Sequence, residues 1–304
     1  MYELMIIGGG PAGLAAAVYA ARKRLNTLLL SVDIGGQINW TLGIENYLGY
    51  QFIEGPELID KFQTQVSQYP IDQKIGYRIT SLKKIQSGFE ATSEKGETYQ
   101  ASAVILATGK KPKKLNVPGE TELTGRGVTY CAICDGPLFA GKRIAVIGGG
   151  NSALEAVLDV VDIAEYVYLV SLTPLTADTV LTDKLAGKEN LSIYIEHETQ
   201  SIEGQGLVEG MIIKDMNSGE GRHLDVGGVF IEIGLVPNSE LADGLVKLNQ
   251  WGEVPVTCAS VTEIAGLFAA GDVTDTPEKQ IVVAAGEGAK ATLQAHRYLQ
   301  RNAT

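Results

Sequence analysis

The chain has 304 residues, 45 % of them hydrophobic, which is ample for packed cores and excludes a disordered or low-complexity polymer. Its 25 Lys+Arg against 36 Asp+Glu leave a net charge of −11, which excludes a general nucleic-acid binder and disfavours an anionic membrane surface as partner. Three Cys do not make a disulfide scaffold, no apolar stretch approaches the ~18 residues of a membrane span, and the first residues lack the basic and long apolar regions of a signal peptide; a cytoplasmic protein of about two domains is expected.

The predicted elements begin with a buried parallel strand over Leu4–Ile7. Gly8-Gly9-Gly10-Pro11-Ala12-Gly13 follows and matches G-x-G-x-x-G. Next comes a helix of small and apolar residues, Leu14–Ala21, ending on Arg22-Lys23-Arg24, where cations suit the negative end of the helix dipole. Thr27–Leu30 completes a βαβ unit. The motif alone is weak, and a merely tight strand–helix turn is the alternative. A strand before it and a helix after it are the context of a dinucleotide site: glycines admit a pyrophosphate to the backbone, and the helix start offers free N–H groups.

Val104–Leu106 then runs as a buried strand into the Ala107-Thr108-Gly109 turn. Cys131-Ala132-Ile133-Cys134-Asp135 is a C-x-x-C followed by an acid. The strand Arg143–Ile147, the loop Gly148-Gly149-Gly150-Asn151-Ser152-Ala153 and a helix with apolar residues from Ala153 to Ala164 repeat the first device as G-x-G-x-x-A, with Tyr166–Val170 as the next strand. Leu267–Asp272 is another strand ending in glycine and an acid, and an Ala- and Gly-rich helix, roughly Ile281–Tyr298, closes the chain. The 36 glycines exceed the ~7 % of average usage, and these loops account for the placing of many of them. The pattern predicts an α/β fold of two Rossmann-like three-layer nucleotide-binding domains, the second inserted into the first. Residues 1–112 and 245–304 form one, and 113–244 form the other.

Two Cys at C-x-x-C spacing can close a small redox disulfide, and a helix-start environment activates the exposed thiol. Half a zinc site and an inert buried pair are the alternatives. Zinc needs two more soft ligands, and Cys258, His197, His223 and His296 offer no pair at ligand spacing, so no metal is expected. Cys258, near a predicted strand, reads as a core residue.

Two nucleotide fingerprints, Ala107-Thr108-Gly109, Cys131 to Gly136 and Ala270-Gly271-Asp272 stand here in an order that closely resembles the low-molecular-weight thioredoxin reductases, class II of the pyridine nucleotide-disulfide oxidoreductases. Gly35-Gly36-Gln37, Glu45-Asn46-Tyr47, Gly234 to Asn238 and Lys279-Gln280 extend the match over nearly the whole chain. The related flavoprotein subunit of alkyl hydroperoxide reductase shares the set. The resemblance implies FAD in the first domain, with Gly8, Gly10 and Gly13 at its pyrophosphate and Asp272 by the ribityl chain. Gln280 and Ile281 would lie near the isoalloxazine ring. Pro11, Ala12, Ser31, Asp33, Gly36, Gln37, Asn46, Ala107, Thr108, Gly109, Gly271 and Lys279 complete that set. It also implies that Cys134 lies nearer the flavin, that Cys131 attacks the partner disulfide, and that Asp135 is the acid–base. A helix N-cap is the plainer role for Asp135. The partner would be thioredoxin or a thioredoxin-like protein, the enzyme a homodimer, and the two domains would rotate relative to each other.

The chain departs from that family at one place. NADPH-using members carry His-Arg-Arg after the second strand of the second fingerprint, and a further Arg four residues on, to clamp the 2′-phosphate. Here the segment reads Ser171-Leu172-Thr173, with Ala177 at the later position, and no acid stands ready for an NADH ribose. From Ile144 to Asp183 there is no Lys or Arg, while Glu155, Asp159, Asp162, Glu165, Asp178 and Asp183 contribute six negative charges. A solvated acidic helix face is the plain reading. The sequence nevertheless weighs against NADPH and NADH and raises ferredoxin as the donor, docking on Lys110, Lys111, Lys113 and Lys114. An NADPH-dependent reductase, a peroxiredoxin-system reductase and a non-catalytic flavin-binding redox sensor are the competing readings. The second normally carries a preceding thioredoxin-like region, which a first fingerprint at Gly8 does not lead one to expect.

Overall fold

The computed structural model describes residues 1–41 and 43–302. Its first third supplies strands β1 (Tyr2–Ile7), β2 (Thr27–Ser31), β3 (Asp72–Ile75), β4 (Ile79–Ile85), β5 (Gly88–Ser93) and β6 (Thr98–Leu106), with helices α1 (Pro11–Arg22) and α2 (Gly55–Ser67) among them. Their order is β3-β2-β1-β6-β5-β4, parallel from β3 to β6 and antiparallel beyond. Leu4–Ile7 and all of β2 are buried, so both read as unbroken apolar runs rather than as alternating ones. Helix α1 begins at Pro11 rather than Leu14, because proline lacks an N–H that the first helical turn would leave unpaired anyway.

After β7 (Lys110–Pro112) come β8 (Val128–Thr129), the short α3 (Ala132–Asp135), β9 (Arg143–Ile147), α4 (Asn151–Val160), β10 (Tyr166–Ser171), α5 (Thr179–Leu185) and β11 (Leu191–Ile195). An antiparallel trio, β12 (His197–Glu203), β13 (Gly210–Asp215) and β14 (Gly221–Asp225), precedes β15 (Gly228–Ile231) and β16 (Leu235–Pro237). A second, parallel sheet has the order β11-β10-β9-β15-β8. The apolar stripe of α4, with Leu154, Val157 and Val160, packs against Ile144, Val146, Leu169 and Phe230 of that sheet. Strands β7 and β16 pair antiparallel, so the segment leading into this second unit is bonded to the segment leading out of it.

The chain then returns. β17 (Leu267–Ala269) adds a seventh strand to the first sheet, parallel to β6, and α6 (Ile281–Asn302) packs on α1. Small residues allow that close approach. Ala16, Ala17, Ala20, Ala291 and Ala295 share one buried cluster, and a Cβ on Gly288 would strike the backbone of Ala12. The Thr292 hydroxyl donates to Ala16 O at 3.1 Å. None of the helices among the described residues is long and apolar enough to cross a membrane.

Cys258 departs from expectation. It is exposed rather than in the core, because Pro255 interrupts the expected strand and Cys258 falls in a turn closed by Ser260 N–H on Thr257 O at 2.8 Å.

Candidate active site

A cavity of about 1230 Å³ runs from the first glycine loop to the cysteine pair. Gly8 to Ala12, Ser31 and Asp33 at the end of β2, Gly36, Gln37, Asn46, the Ala107–Gly109 turn, Gly271, Asp272 and Lys279 to Ile281 line it, together with Cys131, Cys134 and Asp135. Gly13 does not. It is buried beneath the loop, where a Cβ would strike Gly8 O, so its smallness serves helix–strand packing. Gly8, at φ +120°, has no room for a Cβ against Ala107 O, whereas Gly10 has nothing within 4 Å of that position and opens to the cavity.

Long-range polar contacts assemble this end. Gln37 donates to Asp272 at 2.9 Å, and Asn46 donates to Gln280 at 3.1 Å. Burial raises the Asp272 carboxyl above the usual range, against the pull of Lys279 and Gln37. Sequence reasoning missed two acids here. Glu287 accepts from Gly271 N–H at 2.8 Å and so fixes the turn that bears Asp272. Glu253 binds Lys110 at 2.5 Å and Lys279 at 3.4 Å; burial opposes its ionisation, but the bonds from Lys110 and Asn249 prevail and hold it below the usual range. Burial and the neighbouring Lys110 lower Lys279. Lys110 is therefore enclosed, not displayed, and does not belong to the expected basic docking surface. Lys111 faces solvent beside Glu240 at 3.5 Å, and Lys113 and Lys114 are exposed.

At the other end Cys131 and Cys134 form a disulfide with Cα atoms 5.3 Å apart. Cys131 is the N-cap of α3, its Sγ accepting from Cys134 N–H at 3.3 Å. Asp135 caps nothing at that helix start. Its carboxylate is buried, one oxygen accepts from the Thr129 hydroxyl, and the other has no partner among the described residues. Burial pushes its pKa up to about 6 despite the Thr129 bond. The facing wall was also missed: Ser152, Glu155 and Asp159 from α4, and Glu232 just past β15. The i,i+4 spacing of Glu155 and Asp159, which puts both on one helix face, was a usable signal; Glu232 had none.

The second glycine loop is differently filled. Thr176 N–H donates to Gly149 O at 2.7 Å, and the buried Ser171 hydroxyl donates to Thr173 O at 2.7 Å. Asn151 and Asp178 bond reciprocally: Asn151 Nδ2 to Asp178 Oδ2 at 2.9 Å, and Asp178 N–H to Asn151 Oδ1 at 2.9 Å. A carboxylate is thus bonded to the side chain of the first residue of α4, and no side chain caps that helix start. Arg143, just before the cation-free segment, is held by Glu165 at 2.9 Å, and Lys188 by Asp162 at 2.6 Å, while Lys184, the first cation after the segment, is exposed on α5.

Comparisons with known proteins bear on the fold and the family. The profile of the pyridine nucleotide-disulphide oxidoreductase family matches residues 2–288. An alkyl hydroperoxide reductase subunit from Staphylococcus aureus is 42 % identical over 302 residues, covering 99 % of this chain but 60 % of that protein, so the chain spans about three fifths of that relative's length. The thioredoxin reductase structure from Streptococcus pyogenes superposes with a TM-score of 0.94 at 34 % identity, over 99 % of both chains. That from Giardia duodenalis gives 0.90 at 32 % identity, over 98 % of this chain and 99 % of its own. With its two parallel sheets, paired glycine loops and C-x-x-C disulfide, the chain belongs to the pyridine nucleotide-disulphide oxidoreductase family.

Proposed function

We propose that the chain is an FAD-dependent dithiol–disulfide oxidoreductase, passing electrons through the flavin to Cys131–Cys134 and on to thioredoxin or a thioredoxin-like protein. One observation carries this reading: the first glycine loop and the cysteine pair line the same cavity. The FAD fit is supported by the open space before Gly10, the half-buried Asp272 bonded by Gln37, and the Asn46–Gln280 contact. Gly8, Gly10, Pro11 and Ala12 would hold the pyrophosphate, Asp272 the ribityl chain, and Gln280 and Ile281 the ring edge. FAD supplies the two-electron chemistry, and the protein supplies position and protons.

The chain's own residues then act in turn. The Cys131 thiolate attacks the partner's disulfide, one partner sulfur leaves, and a mixed disulfide forms. Asp135, poised near neutrality, gives the departing thiolate its proton. Cys134 Sγ attacks Cys131 Sγ, which closes the intramolecular disulfide and releases the partner as a dithiol.

Against a pyridine nucleotide at the second glycine loop stand the Asp178 carboxylate bonded to Asn151 and the engagement of Arg143 and Lys188 by acids, which leaves the exposed Lys184 as the local cation. The donor in this reading is reduced ferredoxin, an acidic protein, docking on Lys111, Lys113 and Lys114. The reading includes a cytoplasmic homodimer and domains of 1–112 with 245–304, and 113–244. A peroxiredoxin-system protein is the second partner to test, on the strength of the 42 % identity to the hydroperoxide reductase subunit. Anaerobic flavin bleaching is compared with NADPH, NADH and reduced ferredoxin, followed by addition of oxidised thioredoxin. Fast bleaching by ferredoxin alone and many thiols per flavin support the proposal. Bleaching by NADPH on the scale of a typical kcat of ~10 s⁻¹ overturns the donor, and one equivalent of thiols overturns catalysis.

A further inference from the structure

Glu232 turns its carboxylate onto the cysteine loop. Its Oε1 accepts from Ala132 N–H at 3.2 Å, the amide joined directly to Cys131. Its backbone oxygen meanwhile lies where a Cβ on Gly148 would go, so one residue abuts both the second glycine loop and the C-x-x-C segment. The charges that act on it are Asp159 and Glu155, both on α4, while Asp135 lines the same cavity at the far end of α3. Burial pushes Glu232 up to about 7 against the lowering bond from Ala132 N–H, with Asp159 and Glu155 adding to the rise.

We propose that Glu232 is a positioning residue that governs, through its charge and its hold on the Ala132 amide, how readily Cys131 becomes a thiolate. This rests on the reading of Cys131–Cys134 as the redox pair. Reduction breaks the S–S bond with two electrons and two protons and leaves two thiols; Cys131 then releases one proton to become the nucleophile. A helix start ordinarily assists that step by offering N–H groups to the sulfur. Here Cys134 N–H serves Cys131 Sγ, while the Ala132 N–H, the amide next to it, is committed to a carboxylate. With Glu232 ionised, the thiolate forms beside a negative charge; with Glu232 protonated, that opposition is gone. Each anion disfavours the other, so loss of the Cys131 proton promotes gain of one at Glu232. The sign follows. Below the Glu232 midpoint the residue is neutral and resembles Gln. Above it, the carboxylate holds Cys131 back.

The test uses the flavin-loaded protein, reduced anaerobically with a chemical dithiol and freed of it. Labelling of Cys131 by iodoacetamide is then followed against pH, with the site read by peptide mass spectrometry. Wild type and Glu232→Gln should agree below about pH 6, and near pH 8, where the wild-type thiol is only part ionised, the variant should react about fivefold faster, the two profiles converging once both thiols are fully ionised. Asp159→Asn, an exposed change on α4, keeps Glu232 but removes a neighbouring charge, and should move the departure point to lower pH. Flavin absorbance verifies folding of each variant. Coincident wild-type and Glu232→Gln profiles overturn the proposal, and so does a slower variant. If Glu232→Gln does not fold, an unmoved profile in Asp159→Asn overturns it. The chemical reductant bypasses donor and partner, so failure of thioredoxin turnover would strike the proposed function and leave these profiles untouched.

Discussion

The Thr129 hydroxyl is bonded to one oxygen of Asp135, and the other oxygen of that buried carboxylate has no hydrogen-bond partner among the described residues. Thr129 holds the acid's pKa down while burial drives it up to about 6. Asp135→Asn should slow partner-disulfide exchange by about 10²–10⁴-fold, the usual worth of a positioned acid–base. Thr129→Val, which removes the lowering bond, should move the Asp135 limb of the pH–rate profile above about 6, measured as kcat/KM against pH.

The same shift has a stability consequence. The folded-state pKa lies above the ordinary value of 3.8, so the native protein binds the extra proton between the two, and stability falls as pH rises through about 6. Asp135→Asn should therefore raise Tm at pH 8 relative to wild type and leave it nearly unchanged at pH 3, below both values. An equal shift at both pH values would remove burial of the charge as the cause.

Lys110 and Glu253 are an enclosed ion pair, with side chains 10 % and 11 % exposed. Removing Lys110 leaves the enclosed Glu253 carboxylate with Lys279 at 3.4 Å and the neutral Asn249 amide at 2.7 Å. Lys110→Ala should cost about 3 kcal/mol in a urea titration, with little dependence on added salt. A loss below ~1 kcal/mol would place the pair with ordinary surface bridges.

Two glycines of one motif should respond in opposite ways. Gly10→Ala puts a methyl into open cavity, so flavin-free protein should keep its stability within about 0.5 kcal/mol while FAD affinity falls. Gly13→Ala drives a methyl into Gly8 O and should lower stability with or without flavin. Calorimetry of both forms separates them.

If Asp178 and Asn151 fill the second cradle, NADPH gains nothing from the folded state. Millimolar NADPH or NADH should leave Tm unmoved, because a ligand stabilises only through its affinity for the native protein. A rise of several degrees would show a working nucleotide site. The companion measurement is charge reversal at the exposed Lys113 and Lys114, which should slow association with reduced ferredoxin about tenfold or more at low salt and much less at high salt. Lys110→Glu is no substitute, since Lys110 lies inside.

Much of this was legible locally. The strand–glycine–helix units and C-x-x-C depend on side-chain periodicity and on glycine's lack of a Cβ, both written in consecutive residues. Other features had no local trace. Glu253 lies 143 residues from the lysine it holds, and Glu232 lies 100 residues from the amide it binds. Lys110 read as a linker charge because its neighbours in sequence are polar, while its neighbours in space are not in the sequence window at all. Cys258 read as a core residue on its residue type, whereas the turn closed by Ser260 N–H on Thr257 O leaves it exposed.

The sequence by itself determined the two nucleotide-type units, the insertion of one in the other, the reactive cysteine spacing and the absence of a phosphate clamp, since each follows from short-range geometry and charge. Only packing settled which of those pieces share a cavity, that Asp178 bonds the Asn151 side chain, and which carboxylates line the cavity with the disulfide. Burial and the field of distant charges set what a carboxylate does, and both exist only once remote segments have packed.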